Sequence, residues 1–381
     1  MKKRMNTVWY ALGAVVLLAP MAAQAQVPAN IEADLRKIGQ IVDPACTAKL
    51  YRPLMPANDI RSDARPLYPG VTISRDVSFG SNPKDVVDIF VADKGGENRP
   101  VLMFVPGGAG NKIELQDKEA NAFYDNIGRW GTKNGMVVVL MQRHPGANWD
   151  DPAKDVSSMF QWVEANISKY KGNPDRMFAW AQSAGNGPLG TYVGRPELYG
   201  PKGVGIKGVI FMSGQFNIAP IEVPGAGNGA GRGGPGGAPA ANGPGSTCGG
   251  GAQNSSDGYL PGRAEGQPGG PNAAPAGGRG GGRGRGPVDP AEQLARSTWP
   301  AYKEAKVKIM LASAELDPGI SDGKMSAFNQ TFHDELCKLG PDHCPTLLFE
   351  KGESHMSEVF SIDTDDKTVS GPILAWIKKI K

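Results

Sequence analysis

Three observations predict an α/β fold built on a mostly parallel sheet. Short apolar runs recur at Val101–Val105, Met136–Met141, Met177–Ala181, Val209–Met212 and Val307–Ala312, the pattern of strands buried on both faces. Longer stretches between them are suited to helices. The alternation of the two at this spacing implies a parallel sheet covered on both sides.

The elements are expected in the following order. Ile31–Ile41 reads as a short amphipathic helix, and a Pro-rich connection through Pro53, Pro56, Pro66 and Pro69 follows. Residues 26–70 are therefore set apart as an N-terminal extension. Val71–Val77 and Val87–Val91 are the opening strands, the first alternating and suited to a sheet edge. Val101–Val105 ends in Pro106-Gly107-Gly108-Ala109-Gly110-Asn111. Asn121–Asn134 suits a helix, Met136–Met141 a buried strand, and Asp155–Asn166 a helix with Met159, Trp162 and Val163 on one face. The strands Met177–Ala181, Val209–Met212, Val307–Ala312 and Thr346–Phe349 complete the sheet, with a helix at Ser326–Leu339. The main domain is thus expected over 71–224 and 288–381.

Two segments fall outside that pattern. Met1–Ala25 has a basic start (Lys2-Lys3-Arg4), an apolar core (Val8–Ala19) and an Ala23-Gln24-Ala25 cleavage site, as a secretory signal peptide does. Cleavage near Ala25–Gln26 predicts an exported protein, periplasmic or extracellular, without a membrane anchor. Residues 225–287 are dominated by Gly, Pro, Ala, Asn and Arg, with Tyr259 and Leu260 almost the only apolar side chains. Such a composition cannot offset chain entropy by burial, so a disordered insertion is expected. Its five arginines and few aromatics fit a flexible insertion better than an RNA-binding RGG arm.

Charge excludes one class of function. Without Lys2, Lys3 and Arg4 the acidic and basic counts balance, which argues against a basic nucleic-acid-binding surface. The four cysteines lack paired zinc-site spacing. In an exported chain they predict a local disulfide between Cys337 and Cys344; this leaves Cys46 with Cys248, whose place in the Gly-rich segment leaves that pairing open.

The chemistry centres on Arg176–Gly190. There an apolar strand stops at Gln182-Ser183-Ala184-Gly185 and passes into a segment able to form a helix. Such a turn lifts a serine Oγ clear of the sheet and aims the next N–H at an incoming carbonyl. The pattern is Ala-x-Ser-x-Gly, with Ala181 where glycine is usual. A serine nucleophile also needs a histidine base, an orienting carboxylate and oxyanion donors. Of the four histidines, His144 precedes the serine. His333 falls in a helix, His343 lies between the paired cysteines, and His355 follows the final strand. His355 is the expected base. Asp317, before Pro318-Gly319, is the expected acid, with Glu315 as the alternative.

Taken together, the segments 99–108, 123–128, 182–185, 315–318 and 354–359 resemble the α/β-hydrolase superfamily, near the secreted carboxylesterases of the hormone-sensitive-lipase-like group. The resemblance implies the α/β-hydrolase fold, Ser183 as nucleophile, His355 as base and then acid, Asp317 as orienter, and oxyanion N–H groups from Gly108, Ala109 and Ala184. It departs from that pattern in three places. Pro106-Gly107-Gly108-Ala109 replaces His-Gly-Gly-Gly, Gln142-Arg143-His144 replaces Tyr-Arg-Leu, and the Gly-rich insertion occupies the cap position.

The expected function is hydrolysis of a small carboxylic ester, with no cofactor, no metal and no nucleic-acid partner. Trp149 and Met212 are expected either to line the substrate pocket or to pack in the core. Amide cleavage, acyl transfer, a non-catalytic binding role on the same scaffold, and a polymer-binding role for the insertion remain open on the residues alone.

Overall fold

The computed structural model describes residues 26–55, 68–108, 123–144, 148–224, 289–320 and 323–381. Its strands are β1 (Val71–Ser78), β2 (Val86–Ala92), β3 (Arg99–Val105), β4 (Val137–Met141), β5 (Gly172–Gln182), β6 (Gly208–Met212), β7 (Lys308–Ala314) and β8 (Thr346–Glu350). They form one sheet in the order β1-β2-β4-β3-β5-β6-β7-β8. β2 is antiparallel to both β1 and β4, and every later pairing is parallel. β1, expected at an edge from its alternating pattern, is an edge strand.

The side-chain alternation of the strands divides the core into two layers. Leu102, Phe104, Phe178, Trp180, Ile210, Met212 and Ala312 point to one layer. There they meet α1 (Ala29–Ile38), α2 (Pro44–Tyr51), α3 (Asp125–Lys133), α9 (Ser357–Phe360) and α10 (Ser370–Lys379). Val101, Met103, Val105, Ala179, Ala181, Val209, Phe211 and Leu311 point to the other. That layer is covered by α4 (Asp151–Asn166), α5 (Asn186–Val193), α7 (Trp299–Glu304) and α8 (Ala327–Cys337). α6 (Pro290–Ala295) leads into α7. Each wholly buried Val, Leu, Ile or Phe contributes about 1.5–3 kcal/mol, so these strands supply most of the sheet's driving force.

The structure extends the expected pattern at several points. The segment set apart as an extension packs into the first layer through Val27, Ile31, Leu35, Tyr51 and Met55. α2 lies where only a connection was expected. Asp43 caps it by accepting from Cys46 N–H at 2.9 Å, and Pro44 occupies its first turn. α4 begins at Asp151, four residues before the expected start, again with a proline in its first turn. Cys337 and Cys344 form a disulfide, and Cys46 is not a free thiol. Cys248, the expected signal peptide and the Gly-rich segment lie outside the described residues. Among the described residues no helix is long and apolar enough to cross a membrane.

Candidate active site

Parallel strands bring their C-terminal ends to one rim of the sheet, and the loops leaving β3, β5, β7 and β8 meet there. β5 ends at Gln182. Ser183 follows at φ 53°, a left-handed conformation that is strained for a residue with a Cβ. A short helical turn, Ser183–Gly185, then leads into α5. Close packing with the loop after β3 requires two glycines. A Cβ on Gly185 would lie 2.4 Å from the Val105 carbonyl oxygen, and one on Gly107 would lie 2.8 Å from Ser183 Cβ. Asn186 fixes the turn from below, donating from Nδ2 to the carbonyls of Ser183 and Met212, both at 2.8 Å.

His355 comes from the loop after β8 and Asp317 from the loop after β7. His355 Nε2 lies 2.8 Å from Ser183 Oγ, and Nδ1 lies 2.7 Å from Asp317 Oδ1. With the carboxylate as acceptor, Nδ1 carries the proton and Nε2 offers its lone pair to the serine hydroxyl. Glu315, the alternative acid, is directed elsewhere. Its Oε2 accepts from Gly352 N–H at 2.7 Å and from Arg36 at 3.2 Å, so it braces the base loop and joins it to α1. Burial alone would lower the His355 pKa. The charge and hydrogen bond of Asp317, with the charge of Glu358, outweigh it and push the ring up to about 9.

His144 and His333 are engaged away from Ser183. His144 Nε2 lies 3.1 Å from Asp85 and 3.3 Å from Asp155. These three residues hold potential metal-ligating atoms within 4.8 Å of one another, at distances that a shared ion pair also accounts for. His333 contacts Asp334 at 2.8 Å and lies beside the Cys337–Cys344 disulfide, whose sulfurs are not available as thiolate ligands.

Of the expected oxyanion donors, Gly108 is exposed at φ 53° and Ala184 sits in the first turn after Ser183. The leading N–H groups of such a turn have no intrahelical acceptor. Ala109 lies outside the described residues. The two sequence departures nearby fit each other. Pro106 offers no N–H to fix its turn, and the buried Arg143 instead donates from Nε to the Pro106 carbonyl at 3.0 Å and from an η nitrogen to Gly108 O at 2.8 Å. Burial lowers the Arg143 pKa to about 10, which leaves the guanidinium charged at neutral pH. Sequence reasoning missed this role, although the altered Gln142-Arg143-His144 motif marked the position.

Trp149 is half-buried between two guanidinium groups, with Arg195 5.5 Å and Arg296 5.0 Å from its ring centroid. Met212 has no exposed surface and belongs to the first core layer. It is a core residue, and the expected alternative of pocket lining does not apply to it.

Comparison with known proteins agrees with this architecture. Residues 87–195 match the BD-FAE family model. A probable isoprenylcysteine alpha-carbonyl methylesterase of Arabidopsis thaliana is 28% identical over 118 residues, covering 30% of this chain and 23% of its own length. A probable carboxylic ester hydrolase, LipM, of Mycobacterium tuberculosis is 36% identical over 90 residues, covering 23% of this chain and 19% of its own. The chain thus spans about a quarter or less of the curated relatives it matches. Among solved structures, a thermostable esterase from Pseudomonas putida superposes with a TM-score of 0.54 at 11% identity, covering 93% of this chain and 97% of that one. Carboxyl esterase 2 of Tuber melanosporum gives 0.51 at 16%, covering 82% and 88%. The chain has the α/β-hydrolase fold.

Proposed function

We propose that the protein is an exported serine hydrolase of small carboxylic esters, working through Ser183, His355 and Asp317. The observation that carries the reading is the 2.8 Å approach of His355 Nε2 to a serine Oγ held at positive φ on a strand-to-helix turn. The names of the matched relatives, esterases and ester hydrolases, support the choice of substrate class. The basic, apolar and Ala-x-Ala pattern of Met1–Ala25, that of a secretory signal peptide, supports the location.

In the proposed reaction Ser183 Oγ attacks the ester carbonyl carbon while His355 Nε2 takes the hydroxyl proton. Asp317 stabilises the imidazolium and keeps the ring in the tautomer that leaves Nε2 free. The carbonyl oxygen gains negative charge and is met by the N–H groups of Gly108, Ala109 and Ala184, the turn being braced by Arg143. His355 returns its proton to the departing alcohol oxygen, leaving an acyl group on Ser183. Water, activated by the same histidine, then releases the acid and restores the serine.

The test is fluorophosphonate labelling of the purified mature protein, with the modified peptide identified by mass spectrometry. Modification at Ser183 that is lost in His355→Ala is the expected result. A folded protein that does not react would remove the hydrolase reading and favour a binding role on the same scaffold.

A further inference from the structure

Behind this site lies a buried carboxyl group that the chemistry above does not use. Glu358, in α9 and three residues after His355, has no solvent exposure. Its Oε1 accepts from Gln182 Nε2 at 2.8 Å, and its Oε2 accepts from Ser213 Oγ at 2.6 Å. The same Gln182 nitrogen donates to the His355 carbonyl at 2.9 Å. Gln182 immediately precedes Ser183, and Ser213 immediately follows β6. One carboxyl group therefore gathers the ends of two strands and the loop that carries the base.

A carboxylate taken fully out of water is costly unless donors replace the lost hydration. Gln182 and Ser213 do so here. Glu350 is also fully buried, its charge acts on Glu358, and neither of its oxygens has a hydrogen-bond partner among the described residues. Two neighbouring buried carboxyls cannot both ionise readily. Burial raises both carboxyls above the usual range, Glu358 to about 8. Glu358 faces His355, and its negative charge favours the protonated ring.

We propose that Glu358 is a positioning residue for the hydrolysis, an inference that rests on the Ser183–His355–Asp317 reading. Its carboxylate ties Gln182 to the His355 loop, so the ring stays aligned on Ser183 Oγ, and its charge acts on the imidazolium formed during attack. Asp317 holds the ring at Nδ1, whereas Glu358 holds the backbone that carries the ring. The ionisable groups facing Glu358 are Glu350 from β8, Glu353 and His355 from the following loop, and Asp317 from the loop after β7.

The test is hydrolysis of p-nitrophenyl acetate across pH by the wild type, Glu358→Gln and Ser213→Ala, after fluorophosphonate labelling of the wild type. A wild type that neither labels nor turns over overturns the parent reading. With an active wild type, Glu358→Gln is expected to lower kcat about tenfold or more with KM kept within about twofold. It is also expected to move the rising limb of the pH profile to lower pH, because a negative charge beside the imidazole has gone. A fall in kcat with the limb unmoved assigns Glu358 to packing and overturns the inference, as does an unchanged kcat. Should Glu358→Gln not fold, Ser213→Ala decides, since it removes one donor and leaves the carboxylate in place. A fall in kcat of about threefold or more at constant KM then supports the inference, and an unchanged kcat overturns it.

Discussion

The sheet has buried acids beside both ends, and the two are neutralised in different ways. Beside β1 and β2, Asp88 and Asp125 share the Arg75 guanidinium, at 3.0 Å and 2.6 Å, and Tyr68 donates to Asp125 at 3.0 Å. Arg129 pairs with Asp363 at 2.6 Å nearby. Burial still raises the Asp125 pKa, with the hydrogen bonds and charge of Arg75 pulling it back. Beside β7 and β8, Glu350, Glu353 and Glu358 are fully buried, and among the described residues none of them pairs with a Lys or Arg. Glu353 instead receives hydrogen bonds from Tyr51 and Ser357, and Tyr51 also contacts Asp366. Burial pushes the Glu350 and Glu353 carboxyls well above the usual range. A fixed cation offsets part of the burial cost at the first end. Protons and hydroxyl donors make the second end, which carries the base, pH-responsive.

The largest effect expected from breaking this contrast is at Asp317. Asp317→Asn leaves the packing in place but favours the wrong histidine tautomer, and kcat should fall by a factor on the order of 10³–10⁴. Stopped-flow or steady-state ester hydrolysis measures it, and retention of more than a tenth of wild-type kcat would reject Asp317 as the orienter. At the opposite end, Arg75→Ala leaves two acids buried without their cation. It should cost about 3 kcal/mol in urea denaturation, while activity per folded molecule stays near wild type. A large loss of activity at full stability would show that the two ends are coupled.

Two smaller effects depend on pH. His355 must be neutral to accept a proton, so kcat/KM should climb with pH through a midpoint of about 9, set by Asp317 and Glu358 against burial, and level off above it. A plateau already reached by about pH 7 would mean that these charges do not act on the ring. Stability should move the opposite way. His355, Glu350 and Glu358 all bind protons more tightly folded than at their ordinary values of 6.5 and 4.5. Their contribution is complete below those values and is lost as pH rises through the folded pKa. The melting temperature is expected to fall between about pH 6 and pH 9, and Glu350→Gln should flatten that slope. A slope unchanged in Glu350→Gln would place the proton elsewhere.

How much of this the sequence showed depended on the range of the forces involved. The strands of the parallel sheet were legible because apolar runs and their flanking Gly, Pro and small residues act locally. So was the order of Ser183, Asp317 and His355, since each candidate follows an expected strand. α2 was missed because Pro53, Pro56, Pro66 and Pro69 suggested a connection, whereas Asp43 and Pro44 start the helix and the core holds it. Met212 could be read as core or pocket until its neighbours were known. Arg143 was visible only as a departure from a motif, because its acceptors, the carbonyls of Pro106 and Gly108, lie 37 and 35 positions away.

The sequence by itself determined which segments would be strands, where the chain would turn sharply, and which residue types stood at those turns. These follow from side-chain period and backbone sterics, which operate within a few residues. Only the tertiary structure decided which acid reaches His355 and which braces its loop, and that Glu350, Glu353 and Glu358 are buried together. It alone joined Gln182 to Glu358 across 176 positions and Ser213 to Glu358 across 145. Desolvation, charge and hydrogen bonding at such a place depend on distance through space, and that distance exists only once the sheet has assembled.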